Sequence, residues 1–106
     1  MTRPANQERA PGLDDYRVPV LRSLQAKEIK LALRAGRSWH KERMRPRRAA
    51  RHRTNCLQAA ARSEYFRILA DLLEASGGTK VSDLALTARD AAWEQAKQSA
   101  MNALQR

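Results

Sequence analysis

A single cysteine, Cys56, excludes an intramolecular disulfide and suits a reducing compartment. Aromatic residues are scarce, with one Phe, two Tyr and two Trp, so the core is expected to be thin and rich in alanine and leucine. Glycine and proline are also few, and after Gly12 they fall only at Pro19, Gly36, Pro46, Gly77 and Gly78. β-branched residues never alternate over a useful length, which removes the pattern of a half-buried strand. No apolar run is long enough for a membrane span and no secretory apolar stretch opens the chain, so a soluble, cytoplasmic protein without a membrane partner is expected. The chain shows no Gly-rich phosphate loop, no serine elbow and no carboxylate pair with a partnered base, and is read as not an enzyme. His52 and Cys56, four apart, make half of a metal site. His40 is the only other histidine, so neither a metal nor a cofactor is expected.

What remains is a chain of strong helix formers: Ala, Leu, Gln, Glu, Arg and Lys. An all-α fold follows, a small bundle of three to four helices with one long helix and a flexible N-terminal arm. The arm covers residues 1–15 and the helical domain residues 16–106. Pro19 suits the first turn of helix one, which runs to about Ala35. Leu21, Leu24, Leu31, Ala32 and Ala35 share its apolar face, widened by Ile29 and Leu33. Gly36 can end that helix, with Arg37 to Arg45 as a short second helix, or helix one continues through Gly36 and brings Trp39 into line with Leu21 and Ala32.

Pro46 forces a break and disfavours the α region at Arg45. From Arg47 to about Ala75 nothing interrupts a helix. Ala50, Thr54, Leu57, Ala61, Tyr65, Ile68, Leu72 and Ala75 step by three and four. Phe66, Leu69 and Leu73 broaden this stripe in its second half, which should be the buried half. Such a helix spans about 43 Å, longer than a compact domain of this size, so its basic first half should project. Gly77 and Gly78 cap it. Val81 to Gln105 reads as the last helix, with Ser82 as N-cap, Val81 and Leu86 as a hydrophobic staple, and Leu86, Trp93, Ala96, Ala100 and Leu104 as its stripe.

Charge is the most uneven property. The formal net charge is +10. The stretch 34–53 holds nine bases, Arg34, Arg37, Lys41, Arg43, Arg45, Arg47, Arg48, Arg51 and Arg53, and a single acid, Glu42. Residues 54–106 balance bases with acids. On the long helix Arg47, Arg48, Arg51, His52 and Asn55 lie to one side of the apolar stripe. Cations there face the positive end of the helix dipole and crowd one another, so local stability is opposed. Sites that break local rules are candidates for function. Arginine contacts two phosphate oxygens at once, and Trp39 and His40 within the block offer surfaces for unpaired bases.

Two resemblances bear on this. Arginine-rich helices of phage antitermination proteins, which read structured RNA, are similar in composition. The run ILADLLEASGGTKVSDLALTARDAAW, Ile68 to Trp93, resembles the helix, glycine turn and short helix of helix-turn-helix regulators. That resemblance implies a positioning helix over 81–86 and a recognition helix from Thr87, capped by Thr87 and Asp90. It departs from the pattern in having no turn residue between Leu86 and Thr87 and as many acids as bases on the recognition helix.

The function expected is nucleic-acid binding, to DNA or RNA, mainly through phosphate contacts from the 34–53 block, with Arg34, Arg37, Trp39, His40, Lys41, Arg43, Arg45, Arg47, Arg48, Arg51, His52 and Arg53 as the binding residues. A regulatory or DNA-processing accessory role of phage or plasmid type suits such a chain. The alternative is a helical protein–protein interaction module, an adaptor or inhibitor whose basic face meets an acidic partner. The thin core and overlong helix predict a homodimer or a helical protein partner.

Overall fold

The structure, a computed structural model, describes residues 13–105. Most of the arm expected over 1–15 lies outside them. Its last residues, 13–15, are described and tied down: Leu13 packs on the core and the Asp14 carbonyl accepts a hydrogen bond from the Ser82 amide at 3.0 Å. The described residues form three helices, Val18–Lys41 (α1), Pro46–Ser76 (α2) and Leu86–Leu104 (α3), with a single 3-10 turn at Val81–Asp83. The fold is an all-α small bundle with one long helix.

α1 begins at its expected proline and runs through Gly36 to Lys41. An interior glycine costs a helix about 1 kcal/mol relative to alanine, too little to stop one supported by α2 along its length. The break comes at Pro46. Its ring keeps Arg45 extended (φ −118, ψ 92) and serves as the first residue of α2. The four-residue turn between them closes an antiparallel hairpin. Moving forward along α1, contacts move backward along α2: Arg22 pairs with Asp71 at 2.8 Å, Glu28 with Arg62 at 3.0 Å, and Arg53 lies over Trp39.

At its other end α2 stops at Gly77, whose φ of 73° is left-handed. The following segment returns to the start of α1. Val81 donates its N–H to the Tyr16 carbonyl at 2.9 Å, and Arg17 and Lys80 form an isolated antiparallel bridge. Here the last helix departs from expectation. Ser82 does not cap it and Val81 to Asp83 is only a 3-10 turn. The Asp83 carboxylate accepts from the Thr79 amide at 2.8 Å, the Thr79 hydroxyl at 3.0 Å and the Lys80 amide at 3.1 Å. That fixes a tight turn at 79–83 and delays α3 to Leu86. Val81 is fully buried, whereas Leu86 is 67% exposed and belongs neither to a staple nor to the apolar stripe.

α2 is buried on two faces. One carries Ala49, Cys56, Ala59, Ser63, Phe66 and Ala70, and meets α1. The other carries Ala61, Tyr65, Ile68 and Leu69, and meets α3, where Tyr65 and Trp93 stack edge to face at 5.2 Å. The core is as thin as its composition implies: Leu21, Tyr65, Leu69, Leu73 and Val81 are its largest fully buried residues, filled in by Ala70, Ala92 and Ala96. The far end of α3 comes near Leu57, Gln58 and Ala61 of α2, which share a groove with its Met101. Before Leu57, α2 buries only Ala49 and Cys56 among the described residues. The arginine-dense stretch is thus the projecting end of the α1–α2 hairpin, in a molecule measuring 48 × 34 × 22 Å.

Candidate nucleic-acid interface

The body and the hairpin end treat charge differently. In the body, carboxylates meet bases. Arg22 donates to Asp71 and to Glu74 at 2.8 and 3.0 Å, and these bonds raise its pKa further. Arg67 bridges Glu64 and Asp71 at 2.8 and 3.0 Å, Arg62 holds Glu28, Arg89 pairs with Asp14, and Lys97 with Glu94. Asp71 and Glu74 are therefore both ion-paired. Asp14 pairs with Arg89, and the first turn of α1 contains no acid.

At the hairpin end the only carboxylate among the described residues is Glu42, and it reaches Arg45 at 3.7 Å and Arg48 at 4.0 Å. Among the described residues no carboxylate comes within 4.0 Å of Arg34, Arg37, Lys41, Arg43, Arg47, Arg51 or Arg53. All seven side chains are exposed. Two of them have neutral partners: Arg43 donates to the His40 carbonyl at 2.8 Å, and the Arg53 guanidinium stands 5.8 Å from the Trp39 ring centre.

Three surfaces result. On α2, Arg47, Arg48, Arg51 and half-buried His52 line an open recess of about 410 Å³ with Glu42. The helix start adds to the positive field there: its N-cap Arg45 makes no side-chain cap bond and its first turn contains no acid. A second recess, of about 400 Å³, is lined by Gly36, Trp39, His40 and Arg43. Trp39 is half-buried with one face under Arg53, so it offers a base less free surface than sequence alone suggests. The third surface was missed by sequence reasoning that drew its boundary at Arg34. Lys27, Lys30, Arg34, Arg37 and Lys41 step by three and four along α1 and are all exposed. They form one basic edge about 21 Å long at the usual helical rise. The three-and-four spacing is the signal that identifies it.

Cys56 faces α1 opposite Gly36, where a Cβ would stand 3.8 Å from its sulfur. Burial raises its thiol pKa. The helix-turn-helix reading is not supported by this geometry. The expected positioning helix is a three-residue 3-10 turn, and neither Thr87 nor any other side chain caps α3. No described helix is long and apolar enough to cross a membrane. No protein-family model, curated protein or solved structure matches the chain.

Proposed function

We propose that this protein binds nucleic acid through the end of its α1–α2 hairpin, with arginine and lysine side chains on the phosphates. The observation that carries the reading is the charge partition: Arg22, Arg62, Arg67, Arg89 and Lys97 of the body are ion-paired, whereas seven exposed cations towards one end have no described carboxylate within 4.0 Å. Phosphate is the anion that arginine forks match, and the uncapped start of α2 adds backbone N–H groups directed at the same place. Most contacts are then to the backbone, with little sequence information in them. Lys27 and Lys30 extend the contact along α1. A nucleic-acid ligand also fits a cytoplasmic protein with a reduced Cys56.

Salt-dependent binding to a labelled duplex and a labelled single strand tests this. With about five to seven phosphates neutralised, log affinity falls against log salt with a slope of about −4.5 to −6.3 on duplex DNA. Absence of binding to either DNA or RNA at low salt refutes the reading.

A protein partner is the second reading, and the groove between α2 and α3 supports it. Leu57, Ala61, Trp93 and Met101 line a space of about 380 Å³ edged by Arg62 and Lys97, suited to a helix with an apolar face and acidic flanks. Capture of a partner that survives nuclease treatment separates this reading from the first. Self-association fits either: Val20 and Leu31 on one side of α1, and Ile29 and Leu33 on the other, are exposed. Light scattering at high concentration reads the oligomeric state directly.

A further inference from the structure

The recess beside Trp39 gives a more specific expectation, which rests on the nucleic-acid reading above. Trp39, His40 and Arg43, each with a planar group, are among its lining residues. The fourth lining residue is Gly36. Arg43 is held in place by its bond to the His40 carbonyl at 2.8 Å, and Trp39 by the Arg53 guanidinium over its ring. None of the lining residues is acidic. Ile29 and Leu33 continue the same side of α1 away from the recess, both exposed.

Planar, π-faced surfaces in a cationic setting suit a planar ligand that carries negative charge on either side of it. A nucleotide with its base unstacked has that form. In a duplex the base faces are covered by their neighbours and cannot reach such a recess. A basic patch alone treats single strands and duplexes as polyanions, whereas this recess separates them. We propose that the Gly36–Trp39–His40–Arg43 recess accepts an unpaired nucleobase, so that the protein prefers single-stranded or looped nucleic acid to a fully paired duplex. The neighbouring exposed bases Arg37 and Arg53 are placed for the flanking phosphates.

The test uses the full chain, oligothymidylate and oligouridylate of about ten residues, and a duplex of equal length. Trp93, which packs edge to face on Tyr65 and lines the α2–α3 groove, also emits, so Trp39→Phe separates the two reporters. Both single strands should quench Trp39 emission, and the quenching should vanish in Trp39→Phe. Trp39→Ala should weaken single-strand binding by about 5-fold or more, as expected for one lost base stack, and leave duplex binding within about 2-fold. Trp39 also packs between the helices, so His40→Ala, at an exposed position, is the second variant and should weaken single strands selectively. The proposal is overturned if single strands bind without quenching Trp39, or if both variants weaken strand and duplex alike or neither. In those cases nucleic-acid binding itself still stands. Absence of binding to every oligonucleotide overturns both readings.

Discussion

Replacing Arg47 and Arg51 together with glutamine should stabilise the fold and weaken nucleic-acid binding. The two signs follow from one cause. Arg47 stands in the first turn of α2, a turn with no acid and no side-chain cap, where a cation opposes the helix dipole by about 0.3–1 kcal/mol. Arg47 and Arg51 are four apart, and Arg48 and Arg51 three apart, each like-charged pair costing about 0.2–0.5 kcal/mol. Glutamine matches arginine in helix propensity, and neither arginine has a carboxylate partner to lose. The expected gain is about 1 kcal/mol at low ionic strength, or about 4–8 °C in Tm for a domain near this size. It should shrink toward zero in about 1 M salt, where screening acts over about 3 Å. Removing two phosphate contacts should make the salt slope shallower by about 1.8 and cut duplex affinity about 60-fold at 0.1 M salt. Thermal melts at two salt concentrations and a binding titration measure both effects. A double variant that melts lower shows the arginines to be structural. One that melts higher but binds as before removes them from the interface.

Four further outcomes follow from local geometry. Asp83 titrates below the usual carboxylate range because the Thr79 and Lys80 amides and the Thr79 hydroxyl bond its charged form. Its stabilisation is therefore present above the unfolded value of about 3.9 and lost as pH falls through the lower folded value; Asp83→Asn should flatten that limb of a Tm-against-pH curve. Gly77→Ala should cost about 1–2 kcal/mol, from the left-handed backbone alone, since a Cβ there meets nothing within 4 Å; denaturant melts read the loss. Leu69→Ala, at a fully buried position, should cost about 2–5 kcal/mol and leave a thin core only marginally folded by the same assay. Cys56 should react slowly with thiol reagents in the folded protein and quickly after denaturation, because burial holds its thiol protonated.

The long helix was legible because nothing between Arg47 and Ala75 breaks it and because Pro46 and Gly77 act through backbone geometry that any context must respect. Gly36 misleads for the opposite reason. Its penalty is small, and the packing of α1 on α2 overrides it. The start of the last helix was also hidden from sequence: three hydrogen bonds to one carboxylate, Asp83, close a turn that outcompetes the helix expected from Ser82, and leave Leu86 in solvent. At the candidate site, the arginines that carry the charge were readable from composition. Which of them lack a partner was not, since pairing across the hairpin depends on register. Lys27 and Lys30 escaped notice because charge density was counted along the chain rather than around the helix.

Solubility alone is a poor explanation for this arrangement. Net charge keeps a protein dispersed wherever the charge is placed, and scattered cations would cost the fold least. Here they converge on the end of a hairpin, with several at the helix terminus where cations are least favourable. The chain has carboxylates to offer, and Arg22 and Arg67 each engage two of them. On the proposed function, repulsion left unrelieved in the free protein would be relieved by a bound polyanion, so that ligand and fold would reinforce one another. By linkage, saturation at about 100 times Kd adds about 2.7 kcal/mol to stability. Much of that should appear as ordering of the projecting end, which α3 does not support.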